Sequence, residues 1–315
     1  MKRFRLTSLG LFCLLAAGCV EGEATYTVNP DGSAKVKIDV VSVVPPPLVG
    51  GIEPNAKKPE EETLDDIRRR AIRSTLEMPG VAAWKDVSAD FLPNGKLKFS
   101  GTAFVKRLEN FDSTGGIPLL TPTLKTERGP DGSLKLVSKQ NGKDGSFSSK
   151  RKPKTPEEIK KMSDAELDQY ILRDLIDFQS GKPLLTAFLA DMKMKATFLL
   201  PGDVTAATGF EKDGRKASFA LDGNKILANT NKALAQDQAA WRKLYREAPS
   251  VDAIQAAVFG FPGDDWSVTV AKPGEPQFDF DKEVKEARAA YPELRKKLGF
   301  GDDLKLPTDD NPPKK

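Results

Sequence analysis

Glu23-Ala24-Thr25-Tyr26-Thr27-Val28, then Asn29-Pro30-Asp31-Gly32, then Lys35-Val36-Lys37-Ile38-Asp39-Val40 are the residues on which the fold turns. In the first run Ala24, Tyr26 and Val28 alternate with Glu23, Thr25 and Thr27. In the last, Val36, Ile38 and Val40 alternate with Lys35, Lys37 and Asp39. Successive side chains of a strand point to opposite faces, so a period of two predicts two strands with one apolar face each. The residues between them form a turn, with Pro30 setting its own φ and Gly32 accepting a positive one. The pattern predicts a β-hairpin over 23–44. Pro45-Pro46-Pro47 stops it, because proline has no N–H for a ladder.

The same signature recurs downstream. Val81–Phe91 and Lys96–Val105 flank Pro93-Asn94-Gly95, while Leu119–Glu127 and Ser133–Val137 flank Pro130-Asp131-Gly132. Three hairpins with short connections predict an antiparallel sheet. A Pro/Gly/Lys/Glu linker over 45–61 leads into a helix over 63–77, with Thr63 as N-cap and Leu64, Ile67 and Ala71 as its apolar stripe. Thr155-Pro156-Glu157-Glu158 and Ser163-Asp164-Ala165-Glu166 each carry the capping-box pattern. After them Leu167, Ile171, Leu175 and Phe178 share a helical face. Met194, Ala196, Phe198 and Leu200 alternate as a strand, as do Ala217, Phe219 and Leu221, and Trp266, Val268 and Val270. Helices are expected over 230–247, at a short segment capped by Ser250 with Ile254 and Val258, and over 281–298 with an interruption near Pro292. The fold class is α+β, an antiparallel sheet built from hairpins with several packed or inserted helices. One ectodomain is expected over 19–300, with a subdivision near 150 as the alternative, and a disordered polar tail over 301–315.

Upstream of the hairpin, Lys2, Arg3 and Arg5 precede an apolar run from Leu6 to Ala17, and Leu14-Leu15-Ala16-Ala17-Gly18-Cys19 closes it. That order is a secretory signal peptide over 1–18. The run falls short of the roughly 20 residues a helix needs to span a bilayer. Cys19, directly after small residues, resembles the lipobox of bacterial lipoproteins, with Ala16 where that motif most often has Leu. The resemblance implies acyl chains on the Cys19 thiol, cleavage before it and acylation of the new amine. It places the protein on the exported side of the cell envelope, anchored in membrane lipid. Val20 rather than Asp after the cysteine favours the outer membrane where a cell has two.

Composition closes off most chemistry. Lys and Arg number 49 against 45 Asp and Glu, and the leader holds three of the cations and no acid, so the remainder is nearly neutral. A dedicated nucleic-acid binder needs a basic field that this chain lacks. There is no histidine, and of the two cysteines Cys13 leaves with the leader while Cys19 is consumed by lipid. Ser-His-Asp and Cys-His catalysis, His/Cys zinc sites and haem ligation are thereby excluded. No cofactor or metal is expected, and any catalysis would rest on carboxylates, Lys, Tyr or Ser.

Other constellations have plain explanations. Asp279 and Asp281 lack the ligand run of a calcium loop and suit a helix cap. Asp264-Asp265 and Asp302-Asp303 read as solvated turns, and Gly50-Gly51 and Gly115-Gly116 lack the context of a phosphate loop. Ser149 and Lys152 match a Ser-x-x-Lys spacing, but Pro153 follows at once. Trp241, Tyr245 and Trp266 sit on apolar periodic faces and read as core. Between 139 and 154 lie Lys139, Lys143, Lys150, Arg151, Lys152 and Lys154 with Asp144 as the one acid. Such a cluster attracts anionic lipid or acidic glycan, at about 1 kcal/mol per residue near a charged surface. Lys35, Lys37, Lys150, Arg151, Lys152 and Lys154 are therefore the candidate contacts to an anionic surface.

Cys19, the strand Ala24–Val28, the turn Asn29–Gly32 and the strand through Val40 together resemble the start of LppM-type bacterial lipoproteins. Phe198-Leu199-Leu200-Pro201-Gly202-Asp203-Val204, with Gly209 and Gly214, resembles a later segment of that group. The resemblance implies an envelope protein with an α+β ectodomain that contacts lipids or glycolipids, and it carries over no catalytic residue. Relatives of that type usually end in a transmembrane helix, and no second apolar segment here is long enough for one. The expected function is a non-enzymatic binding or scaffold module at a membrane surface, its protein partners left open. The alternative is a carboxylate-dependent hydrolase acting on envelope glycans, which two carboxylates in one concave pocket would favour.

Overall fold

The computed structural model describes residues 20–42, 63–111, 124–138, 154–247, 266–301 and 304. The first hairpin is formed by β1 (Glu21–Val28) and β2 (Ala34–Ser42), antiparallel in register from Glu21↔Val41 to Val28↔Ala34. Its turn has Gly32 at φ 90°, the Asn29 N–H bonded to the Ser33 carbonyl at 2.8 Å, and Asp31 Oδ1 accepting from the Ser33 N–H at 2.9 Å. The other two expected hairpins are present as β3 (Val81–Phe91) with β4 (Leu97–Val105), and β5 (Leu124–Arg128) with β6 (Leu134–Ser138). Four further strands follow, β7 (Lys193–Leu199), β8 (Val204–Thr208), β9 (Glu211–Asp213) and β10 (Lys216–Asp222), and then β11 (Ser267–Val270).

These strands build two sheets among the described residues. The larger has the order β3-β4-β2-β1-β7-β10-β9 and the smaller β5-β6-β11-β8. Every pairing is antiparallel except β1 with β7, which run parallel from Glu21↔Lys193 to Thr27↔Leu199. That pair unites segments from both sides of residue 150 in one sheet.

The helices are α1 (Leu64–Leu76), α2 (Pro156–Lys161), α3 (Asp164–Leu189), α4 (Gly223–Leu234), α5 (Gln238–Glu247) and α6 (Phe280–Lys297). Thr63, Thr155 and Ser163 each close a reciprocal capping box, with Asp66, Glu158 and Glu166 in the third position. The alternating apolar residues of the large sheet, including Tyr26, Ile38, Phe99 and Phe198, face a main core shared with Ile72 and Leu76 of α1 and with Leu134, Leu136 and Val268 of the small sheet. A second core joins α2, α3, α4 and α5 through Ile159, Leu167, Ile171, Ala233, Trp241 and Tyr245.

Several expectations change. The single helix expected over 230–247 is two, because Asp222 caps α4 by accepting from Asn224 and Lys225, and Asp237 accepts from the Ala240 N–H at 2.8 Å at the start of α5. The interruption expected near Pro292 is absent: α6 runs through it, with Tyr291 buried beside the proline and Leu298 buried past its end. Residues 119–123, the segment capped by Ser250 with Ile254 and Val258, and most of the 301–315 tail lie outside the described residues. Leu304, within that tail, is buried in the main core.

Candidate functional site

The polar alternates of the strands form the outer face of the large sheet. Following the register across it, Lys85, Thr102, Lys37, Thr25, Thr197, Ser218 and Glu211 make one continuous row, one residue per strand. Neighbouring strands are about 4.8 Å apart, so the hydroxyls of Thr25, Thr197 and Ser218 stand side by side. Toward β3 and β4 the face is occupied by α6 and the segment leading into it, where Val284 and Ala287 of the helix and Phe278 before it pack with Ala82, Ala83 and Phe104. Among the described residues it is open over β1, β7, β10 and β9. There a hollow of about 530 Å³ is lined by Thr25, Lys195, Thr197, Leu199, Glu211, Lys212, Asp213, Lys216 and Ser218.

Each lining group is set by its strand. Lys195 and Thr197 are the outward alternates of β7, whose Met194, Ala196 and Phe198 are buried. Lys216 and Ser218 are the outward alternates of β10 around buried Ala217 and Phe219. Lys212 is held by donating Nζ to the Thr205 carbonyl at 3.0 Å. Lys195 and Lys216 form no ion pair among the described residues, although Glu23 stands opposite Lys195 and Asp213 opposite Lys216 within one pairing step. Glu211 and Asp213 share one face of β9, two residues apart and both exposed. The hollow thus offers hydroxyls that donate and accept, ammonium groups that only donate, and the Glu211 and Asp213 carboxylates, which only accept.

The residues singled out from the sequence are dispersed. Lys35 is committed inside the fold: its Nζ bonds Glu283 at 2.9 Å and lies 4.8 Å from the centre of the Phe278 ring. Lys37 is exposed in the central row, two pairing steps from the hollow's Thr197. Lys154 is exposed and its N–H donates to the Tyr170 hydroxyl at 3.4 Å. Cys19, Lys150, Arg151 and Lys152 lie outside the described residues. Asp279 caps α6, accepting from the Lys282 N–H at 3.0 Å. Trp241 and Tyr245 are core of the helical cluster, and Trp266 is core of the main one.

The hollow itself was not singled out from the sequence. Lys195, Thr197, Lys216 and Ser218 were visible as the polar alternates around recognised strands, whereas Lys212-Asp213-Gly214 reads as a turn and its strand β9 was missed. What gathers them is the parallel pairing of β1 with β7, which no local pattern announces. The helical cluster holds a strongly perturbed side chain: burial, the Asp174 charge and a 2.9 Å hydrogen bond to Asp174 all push the Tyr245 phenol up. Arg246 there bonds Asp164 at 3.0 Å and the Met162 carbonyl at 2.9 Å, so these groups fasten α5 to α2 and α3. Among the described residues no group of three or more His, Cys, Asp or Glu is placed to hold a metal ion, and no helix is long and apolar enough to cross a membrane.

No protein-family model matches the chain, and no curated protein matches it. A search of solved structures finds a weak similarity to the folded domain of Mycobacterium tuberculosis LppM, determined by NMR. The TM-score is 0.30 and the sequence identity 13%, over 65% of this chain and 84% of that one.

Proposed function

We propose that the protein is a lipid-anchored, non-enzymatic module of the bacterial cell envelope that holds acidic envelope glycan on the open face of its large sheet. The observation that carries this reading is the hollow, where the hydroxyl row of Thr25, Thr197 and Ser218 is flanked along the strands by Lys195 and Lys216, with Glu211 and Asp213 on the edge strand beside them. A polyol bearing carboxylate or phosphate matches that set, hydroxyl to hydroxyl and anion to ammonium. The groups are solvated, so each contact is weak, and binding falls as salt screens charge beyond about 8 Å at physiological ionic strength. The lipobox at Cys19 supplies the anchor, and each buried acyl methylene adds about 0.8 kcal/mol of membrane affinity.

Calorimetric titration of the detergent-solubilised protein with acidic glycan fragments, and with neutral fragments of equal length, tests the binding. The acidic fragment should bind more tightly, and Lys195→Glu with Lys216→Glu should weaken it about tenfold or more, which corresponds to about 1.4 kcal/mol. Equal affinity for neutral and acidic fragments, or a double variant that binds normally, contradicts the reading. One observation favours a hydrolase instead: Glu211 and Asp213 both line the hollow. Alternate residues of a strand are about 6.6 Å apart, near the carboxylate separation of inverting glycosidases. A general acid, however, relies on a sheltered carboxyl, and β9 is exposed along its whole length. Release of reducing ends from envelope glycan, abolished by Glu211→Gln or Asp213→Asn, would establish the hydrolase.

A further inference from the structure

The place where the chain enters the large sheet fixes how the domain stands on its membrane. β1 begins at Glu21, so only Val20 separates it from Cys19. Val20 is itself tied down: its side chain is 6% exposed, and its carbonyl accepts from the Lys193 N–H at 2.9 Å. Two residues of extended chain reach about 7 Å, so an acyl chain on Cys19 holds Glu21 at headgroup level. We infer that the end of the large sheet at which β1, β7 and β4 begin and β3 finishes is a membrane-contacting surface, and that its partner is the lipid headgroup layer. This inference rests on the anchored reading of Cys19 and adds the orientation that the anchor imposes.

The pairing extends the contact sideways. Lys193 and Val41 lie directly beside Glu21, each one strand spacing of about 4.8 Å away. The β3–β4 turn, residues 92–96, projects past the same end, since Leu97 already pairs with the last residue of β2, Ser42. The far end is remote. β1 rises about 23 Å from Glu21 to Val28, and Val105, the last residue of β4, pairs with Ala34 there. The sheet cannot lie flat on the bilayer by its outer face, because α6 sits on that face at the far end and a helix is about 10 Å across. The inner face is covered by the main core. The strands therefore stand up from the membrane, and the hollow, centred on Thr25, rides about 13 Å above Glu21.

Charge does not set this orientation. The row nearest the membrane reads Asp90, Lys98, Val41, Glu21, Lys193 and Asp222 across the strands, with alternating charges that nearly cancel. The anchor therefore governs, and the contact has no strong demand for anionic lipid.

Once Cys13 is removed and Cys19 acylated, the chain has no other thiol, so an introduced cysteine takes a label at one place. Lys193→Cys at the base and Lys106→Cys just past β4 at the far end are both exposed positions. Each full-length acylated variant is labelled with a fluorophore, placed in vesicles carrying nitroxide-headgroup lipid, and checked by intact mass. Quenching should be at least several-fold stronger at residue 193 than at 106, equally on zwitterionic vesicles and on vesicles with anionic lipid. Equal quenching at both positions on protein shown to be acylated overturns the orientation while leaving the anchor in place. A difference that appears only with anionic lipid overturns it too, since charge would then set the pose. An unmodified Cys19 in the intact mass removes the anchor and the orientation together.

Discussion

Asn29 is the residue on which the two ends of the described fold meet. It is 2% exposed, its Nδ2 donates to the Phe278 carbonyl at 3.0 Å, and its Oδ1 accepts from the Gln277 N–H at 2.8 Å. It therefore closes the first turn and also docks the segment that leads into α6. Asn29→Ala leaves those backbone groups unpaired and should cost about 3 kcal/mol, seen as a lower urea midpoint with unchanged slope. Gly223 is fixed by close approach, since a Cβ there would overlap the Leu189 carbonyl at the end of α3. Gly223→Ala should cost about 3 kcal/mol or more by the same measurement. Buried phenols contribute to the alkaline limit. Burial pushes Tyr291 up to about 12, and burial raises Tyr170 and, more strongly, Tyr245. A raised folded value means their contribution is full below the unfolded value of 10.0 and is lost as pH rises beyond it. Phenolate absorbance from these groups should thus appear together with loss of the circular dichroism signal. Full ionisation with the fold intact would contradict the burial argument.

At the scale of elements, local chemistry was readable wherever it was self-contained. The turn Asn29–Gly32 and the alternation on either side of it predict β1 and β2, because both depend only on neighbours in the chain. The N-cap at Thr63 and the capping boxes at Thr155 and Ser163 mark three helix starts for the same reason. The break between α4 and α5 was missed because Trp241 and Tyr245 continue an apolar periodicity while the Asp237 cap competes with it. Pro292 misled in the opposite sense: tertiary packing of Tyr291 outweighs the hydrogen bond that proline removes. Ser163→Ala should cost about 1 kcal/mol at neutral pH by losing the bond to the Glu166 N–H. The Ser163 hydrogen bonds also hold the Glu166 carboxyl below its usual 4.5. Its contribution is complete above that value and lost as pH falls through the folded one. The stability gap between Ser163→Ala and the parent chain should therefore narrow as pH falls below 4.5, as followed by amide exchange in α3. A gap that widens on acidification would contradict the cap.

At the scale of the whole molecule, the α+β class and its hairpins were legible, whereas the assembly of the two sheets was not. Nothing in Lys193–Leu199 announces that it pairs parallel with Glu21–Thr27, yet that pairing seats the hollow and ties Val20 to Lys193. In the inferred orientation the strand direction carries the Asn29–Ser33 turn away from an acylated Cys19 and leaves Glu21 beside it. Lys35 lies near that far end and is occupied by Glu283, which leaves the inferred contact to residues at the sheet's base. All of this depends on lipid at Cys19, and intact mass spectrometry of the protein taken from the membrane fraction of the expressing cells tests that most directly. The account predicts a chain that begins at Cys19 and carries a thioether diacylglycerol, with an acylated amine where the cell supplies that step. A mature chain that begins at any other residue, or a Cys19 with a free thiol, would contradict it.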